Sequence, residues 1–533
     1  MIDLALIFAV APGLILFLYG IEHFSREILR IAGQRFRSIL GKVTANRFSG
    51  AFLGALVTAT VQSSTATTVI VVGLVDAGII TFTQSLGVII GANIGTTLTA
   101  QLVAFKLTSI APFFIILGFL LSLFGRQYRF LGKPIFYFGL VFFSLDLLSH
   151  AIEPLKTDPD MIRLFSEFSN VFVAILAGLL FTVVVQSSSV TTGIVVLLVG
   201  SGLLSLGQGI PLVMGANIGT TLTSFIAAMR LGLHAKRAAF AHFLFNFGGL
   251  LLFIPFLYPF TDLIVSLGGG PAQQMANAHL AFNLIAASIF LILLKPFSSA
   301  VVRLVPGKDE EILFRPKYLE SELPQSNDEA CKIIGKELSH SLKVTKRMYD
   351  YSLEILSSGS ASALHKVEKL EALNDYLDDA IGAAILSLSK RKLTKRMAKR
   401  VVLLVRMSNA TEQLGDLAKS LAIECNNIRE SNLTLSQRSI SDIRKAHERF
   451  SGNLYMIARD APMLDEKDRQ AIRKNDRLLR DMVTSGYKEH LNRLHSQKAY
   501  AGAAFVEVMS VIESSNAKLR EIRKLAESYT RAQ

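Results

Sequence analysis

The chain has 533 residues, 51% of them hydrophobic, with a mean hydropathy of +0.42 and a formal charge of +14. Residues 1–305 carry 27 charged side chains, about 9% of positions, whereas residues 306–533 carry 71, about 31%. The first density is too low for a water-facing surface and the second is ordinary for a soluble helical domain, so a single soluble globule is excluded.

In chain order, the apolar start from Leu4 to Gly20 has no basic n-region and no small-residue cleavage site, and reads as a membrane helix rather than a signal peptide. A bilayer core about 30 Å thick calls for about 20 apolar residues of helix. Runs of this kind, bounded by charges, lie at 4–23, 48–75, 78–105, 108–124, 134–150, 168–200, 203–229, 238–258 and 277–294. Basic residues mark the cytoplasmic side of each loop. Four clusters take that side: the stretch Ser25 to Arg47, then Arg126, Arg129 and Lys133, then Arg230, Lys236 and Arg237, then Lys295 with Arg303. They hold 14 of the 17 basic residues of this half, leaving Lys106, Lys156 and Arg163 outside in loops and the charged tail in the cytoplasm. Two cysteines, Cys331 and Cys425, both in the tail, make neither a disulfide framework nor a thiolate metal site.

A shift of 124 positions lays Gln62-Ser63-Ser64 on Gln186-Ser187-Ser188, and Gly91 to Thr99 on an identical Gly215 to Thr223. More than half of positions 54–99 are identical under this shift, with no gap. The loop assignment sends the first copy, about 46–105, from inside to outside and the second, about 170–229, from outside to inside. Inverted repeats of this sort are a recurring plan of secondary transporters, with substrate bound near the midplane. A smaller duplication sets Ala241-His-Phe-Leu-Phe-Asn246 beside Ala278-His-Leu-Ala-Phe-Asn283, each with a His and an Asn four apart on one helical face.

Gln62, Ser63, Ser64 and Thr65 interrupt an apolar run, as do Gln186, Ser187, Ser188 and Ser189. Such polar clusters compete with helical hydrogen bonding, and lipid has no water to satisfy freed backbone groups. They are expected where a helix breaks or turns back inside protein. The Gly-Ala-Asn-Ile-Gly-Thr-Thr-Leu-Thr stretches, with Asn93, Thr96, Thr97, Asn217, Thr220 and Thr221, are expected to leave the helix at their glycines and offer oxygens to a hard cation. Close helix packing is the other role open to those glycines. Half-helix N-termini with hydroxyls suit an oxyanion. Between Arg47 and Lys106 the only charge is Asp76, and between Glu167 and Arg230 there is none, so an anion held there draws its positive charge from co-bound cations. Asp76 is either a cation ligand or an interfacial polar end. Neither Ser63 nor Ser187 has the context of a hydrolase nucleophile.

On these residues the chain resembles the type II sodium/phosphate cotransporter family, whose signature is paired Gln-Ser-Ser-Ser motifs, each followed by Gly-(Ala/Ser)-Asn-Ile-Gly-Thr. The match spans about 45–295, with Thr65 in place of the last Ser of the first motif. The resemblance implies Na+ as coupling ion, inorganic phosphate as substrate, and hairpins at Gln62–Thr65 and Gln186–Ser189 that close on it. It also implies that the six Asn and Thr residues above help to bind substrate or Na+.

The tail reads as six helices, 329–357, 361–389, 395–425, 436–461, 466–494 and 499–530, with Leu370, Leu373, Leu377, Ile381 and Ile385 at the spacing of an antiparallel bundle. Glu371 with Asp375, and Glu412 with Asp416, stand four apart, a spacing equally at home on a solvated face. Here the tail resembles the PhoU family of phosphate-signalling proteins, which implies a transition metal at these four carboxylates. The second repeat departs, with Ile472 four before Asp476 and Ala517 four after Glu513.

The fold expected is all-α: a polytopic inner-membrane core over 1–305 with inverted repeats and re-entrant hairpins, a linker over 306–325, and a cytoplasmic PhoU-like bundle over 326–533. The function expected is a sodium-coupled phosphate symporter working by alternating access and adjusted by the tail, not an enzyme. A phosphate exporter with the same core and a non-transporting phosphate sensor are the alternatives. The partners are phosphate, sodium and the lipid bilayer. A homo-oligomer and a phosphate-signalling partner are compatible with this reading, and nucleic acid has no place in it.

Overall fold

The computed structural model describes residues 4–43, 46–105, 107–123, 125–307, 312–319, 322–358, 361–431, 435–494 and 499–532. Lys106 and parts of the 306–325 linker therefore lie outside the described residues. Two compact units, residues 1–311 and 312–533, divide the chain close to the boundary that charge density marks.

The first unit is helical throughout its described residues: α1 (Leu4–Val43), α2 (Arg47–Val61), α3 (Ser64–Asp76), α4 (Phe82–Ala104), α5 (Ala111–Leu123), α6 (Gly125–Ile152), α7 (Pro159–Ser166), α8 (Val171–Val185), α9 (Ser188–Ser201), α10 (Leu206–Ala228), α11 (Leu233–Phe253), α12 (Leu257–Ser266), α13 (Pro271–Ile292) and α14 (Leu294–Leu304). Among the described residues, five helices are long and apolar enough to cross a membrane, or six if the pair Pro159–Ser169 and Val171–Val185, bent by 107°, is one span. Of the nine apolar runs, 48–75 is broken into α2 and α3, 168–200 is broken into α8 and α9, and the helical stretch in 108–124 is short. Large apolar side chains such as Phe52, Phe113, Phe172 and Val184 stand exposed, as a lipid-facing surface requires.

Two stretches between the apolar runs are themselves largely helical. The basic stretch from Ser25 continues α1 as helix to Val43, because its Arg, Leu, Ile and Gln residues are good helix formers and no proline stops them. The stretch 151–168 carries α7, which starts on Asp158, whose side chain accepts from the N–H groups of Asp160 and Met161, with Pro159 in the first turn.

The second unit is a bundle of α15 (Asn327–Ser358), α16 (Ala361–Ser389), α17 (Lys395–Glu430), α18 (Gln437–Asp460), α19 (Glu466–Leu494) and α20 (Ala499–Arg531). The helix periodicity located these ends to within a few residues. Helices α15, α16 and α17 pack on one another, as do α18, α19 and α20, and the trios join through α15 on α18 and α17 on α20. Leu370, Leu373, Leu377, Ile381 and Ile385 are all buried in the shared core.

Candidate functional site

Both Gln-Ser-Ser motifs break their helices in the same way. Gln62 (φ 59°, ψ 27°) and Gln186 (φ 58°, ψ 23°) are left-handed, the only non-glycine residues with positive φ among those described. That conformation costs an L-residue roughly 1–2 kcal/mol, so it persists only where the surroundings enforce it. Ser63 and Ser187 then turn extended and cap α3 and α9, their hydroxyls accepting from the N–H groups of Ala66 and Val190 at 3.1 and 3.4 Å. The Thr58 hydroxyl donates to Thr67 at 2.9 Å, and those of Thr182 and Thr191 lie 2.7 Å apart. Nine residues of continuous helix would span about 13 Å. Each motif is therefore the tip of a fold-back.

Ser64, Ser188 and Ser189 are buried in the first turns of α3 and α9, and Thr65 is half-buried. The first-turn N–H groups of these half-helices have no intrahelical acceptor and carry the positive end of the helix dipole. The two tips come together at the last residue of the first repeated nine-residue stretch, which was not among the expected site residues. Thr99, on α4, donates its hydroxyl to Gln62 Oε1 at 2.6 Å and lies 3.5 Å from Ser189 Oγ.

The Gly-Ala-Asn-Ile-Gly-Thr-Thr stretches do not leave the helix, which corrects the expectation for their glycines. They lie inside the continuous helices α4 and α10. A Cβ at Gly91 would stand 1.9 Å from the Ala51 carbonyl oxygen, and one at Gly215 would stand 2.0 Å from that of Ile175. The glycines thus let α2 seat its backbone on α4 and α8 on α10, the small-residue packing that membrane helices favour. The hydroxyls of Thr96, Thr97, Thr220 and Thr221 donate to carbonyls of their own helices, those of Ala92, Ile94, Ala216 and Ile218. Asn93 also bonds within its helix, to the Ile89 carbonyl at 2.9 Å, whereas Asn217 reaches across to Asn283 Oδ1 at 3.2 Å. Asp76 accepts from the Gly232 N–H at 2.8 Å, an attachment to the turn before α11.

Besides Thr99, the sequence did not single out an amide cluster one turn or less beyond it. Gln101 donates to Asn277 at 3.1 Å, and Gln273 donates to Gln101 and Asn277 at 2.8 and 3.0 Å. Thr99 was discoverable as the last residue of the repeated nine, one helical turn from Thr96.

Two copies of the Na+/Pi-cotransporter family description match the chain, at residues 16–150 and 158–292. The chain belongs to that family. Its members are transporters, and the chain is a multi-pass membrane transporter rather than an enzyme. Among its relatives, an uncharacterised Bacillus subtilis protein, YqeW, is 33% identical over 49% of this chain and 86% of its own length. The putative inorganic phosphate export protein YjbB of Escherichia coli K12 is 24% identical over 90% of each chain, so that likeness includes the tail. Human sodium-dependent phosphate transport protein 2B is 39% identical over 26% of this chain and 22% of its own. No solved structure matches.

In the tail, Glu371 and Asp375 on α16 face Asp416 on α17 closely enough that their charges, after burial, push the Asp375 carboxyl above its usual range. Burial, then Asp416, Asp378 and Asp375, do the same to Glu412. Yet Lys419 Nζ binds Glu371 at 2.9 Å, and among the described residues no three His, Cys, Asp or Glu side chains converge as a metal would need. The arrangement does not fit the expected metal. In the second trio Asp476 is buried with Asn453 at 3.1 Å and Arg523 at 3.8 Å, a charge pair held by the protein itself.

Proposed function

We propose that the chain is a sodium-coupled inorganic phosphate symporter of the inner membrane, working by alternating access and adjusted by a cytoplasmic PhoU-like tail. The observation that carries this reading is the Thr99 hydroxyl, which joins the tip of the first fold-back to that of the second. Phosphate would sit against the half-helix N-termini at Ser64 and Ser188, held by their N–H groups and by Gln62, Ser63, Thr65, Gln186, Ser187 and Ser189. No lysine or arginine lies in α3, α4, α9 or α10, so Na+ supplies the countercharge. The carbonyl and hydroxyl oxygens around Asn93, Thr96, Thr97, Asn217, Thr220 and Thr221 are the donors suited to it. The two copies, inverted in the membrane, would expose this site to one side at a time.

Export is the second reading, favoured because the relatives that match through the tail as well as the core are named putative phosphate export proteins. A coupled carrier runs either way with its gradients. The test is ³²P flux in sealed proteoliposomes under Na+ gradients of either direction, with sulfate as competitor. Phosphate movement that follows the Na+ gradient and ignores sulfate is expected, and Thr99→Val is expected to lower it at least ten-fold while Thr99→Ser retains most of it. Saturable phosphate binding with no flux would instead make the chain a sensor.

A further inference from the structure

The two halves of the core carry the same residues but not the same bonds. Asn93 and Asn217 are equivalent under the 124-residue shift, and Asn246 and Asn283 under the smaller duplication. α4, with Asn93, packs against α11, with Asn246; α10, with Asn217, packs against α13, with Asn283. Asn246 and Asn283 are anchored alike, each amide nitrogen donating to the carbonyl four residues back, of His242 at 3.0 Å and of His279 at 2.9 Å. Their oxygens differ. Asn283 Oδ1 accepts from Asn217, whereas Asn246 Oδ1 is buried without a hydrogen-bond partner among the described residues and Asn93 spends its amide on Ile89.

A buried acceptor left unpaired is unfavourable, and a membrane interior offers little to relieve it. The Ile89 carbonyl already accepts the helical N–H of Asn93, so the Asn93 amide makes a redundant bond with its own helix. The hairpin tips show the same inequality: Gln62 is half-buried and bonded to Thr99, while its counterpart Gln186 is exposed.

We propose that Asn93–Asn246 and Asn217–Asn283 are two alternative latches that exchange as the carrier alternates. The second is closed in this structure. In the opposite-facing state Asn93 donates to Asn246, and Asn217 falls back on the carbonyl of Val213, four residues before it. Asn246 and Asn283 are thus positioning residues that set the balance between the two states without touching phosphate or Na+. The proposal rests on the alternating-access reading above.

The test uses Asn246→Leu, Asn283→Leu and the double variant in the full-length protein. Each single variant removes the latch of one state, so the two push the equilibrium in opposite directions, and the double restores it. Na+-dependent ³²P binding in detergent is expected to stay within about three-fold of native, and phosphate exchange in proteoliposomes to fall at least ten-fold in each single variant. The double variant is expected to exchange faster than either. Native exchange in both singles, or a double slower than both, overturns the proposal. Loss of binding in step with exchange in Asn246→Leu also overturns it, by making Asn246 a ligand. Hydrogen exchange at the tips, which needs no phosphate, separates this from the carrier reading. Asn283→Leu is expected to protect residues 186–189 and expose 62–65, while Asn246→Leu keeps the native pattern. If native liposomes pass no phosphate, the carrier reading fails; opposite exchange patterns then still support the latches, and identical ones refute them.

Discussion

The hydroxyls of Thr58 and Thr67 meet at 2.9 Å although they stand nine positions apart, because the chain reverses at Gln62 between them. Their counterparts Thr182 and Thr191 do the same at 2.7 Å. Thr67 also donates to the Ser63 carbonyl, so losing Thr58 does not strand it. Thr58→Val is expected to cost about 1 kcal/mol and the Thr58→Val/Thr67→Val double less than the sum of its singles. Thermal unfolding in detergent reads both, and strict additivity would mean that the pair does not couple the two arms.

The left-handed glutamines allow backbone and side chain to be separated. Gln186→Gly removes the side chain and the steric cost of positive φ, whereas Gln186→Ala removes only the side chain. Gln186→Gly is therefore expected to be more stable than Gln186→Ala by about 1 kcal/mol, while both lose ³²P flux. Flux retained in Gln186→Gly would show that only the turn matters.

Gly91 and Gly215 sit where neighbouring backbone comes closest. A Cβ at either position would overlap a carbonyl oxygen at 1.9 or 2.0 Å, and rigid backbone cannot step aside as a side-chain end would. Gly91→Ala and Gly215→Ala are each expected to cost about 3 kcal/mol or more, seen as loss of monodisperse protein on size exclusion. Gly73, with nothing among the described residues within 4 Å of its Cβ position, is the control whose alanine variant stays folded.

The hairpin breaks were legible because serine and threonine clusters inside an apolar run have few other uses. The tail helices were legible because Leu370, Leu373, Leu377, Ile381 and Ile385 repeat with the helical period and are all buried. The glycine stretches were misread because glycine serves both a broken helix and a close one, and the deciding group, the Ala51 carbonyl against Gly91, is 40 positions away in sequence. Thr99 was missed for the same reason, since its role depends on where two separate tips converge. The carboxylate pairs of the tail gave the spacing of a metal motif, but Lys419, whose bond to Glu371 crosses between helices, alters their chemistry.

Those carboxylates give a pH-dependent prediction. Asp375 and Glu412 are pushed up by burial first and then by one another's neighbours, so the native state holds their protons more tightly than the unfolded chain. Stability tied to them is present below the ordinary carboxylate range and lost as pH rises through the raised values. Asp375→Asn is therefore expected to raise the tail's melting temperature at neutral pH, by an amount that solvent screening of this exposed side chain keeps small. The gain should vanish in acid. A gain that persists below the carboxylate range would place its origin outside this charge cluster.

Glu337 behaves in the opposite sense. It is buried on α15, where its oxygens accept from the N–H groups of Lys317, Tyr318 and Leu319 at 3.0, 2.6 and 3.0 Å and pair with His340 at 2.9 Å. Burial pushes its carboxyl up, but the bonds from His340 and the three amides outweigh it and hold the carboxyl below its usual range. The resulting stability is present above the ordinary glutamate value and lost as pH falls through the lowered one. Glu337→Ala strands three amides and is expected to cost about 3 kcal/mol, lowering the tail's melting temperature by roughly 6–12 °C. Hydrogen exchange should rise selectively at residues 317–319, which this carboxylate fastens to α15. Unchanged protection there would mean that Leu319 and its neighbours are held by apolar packing alone.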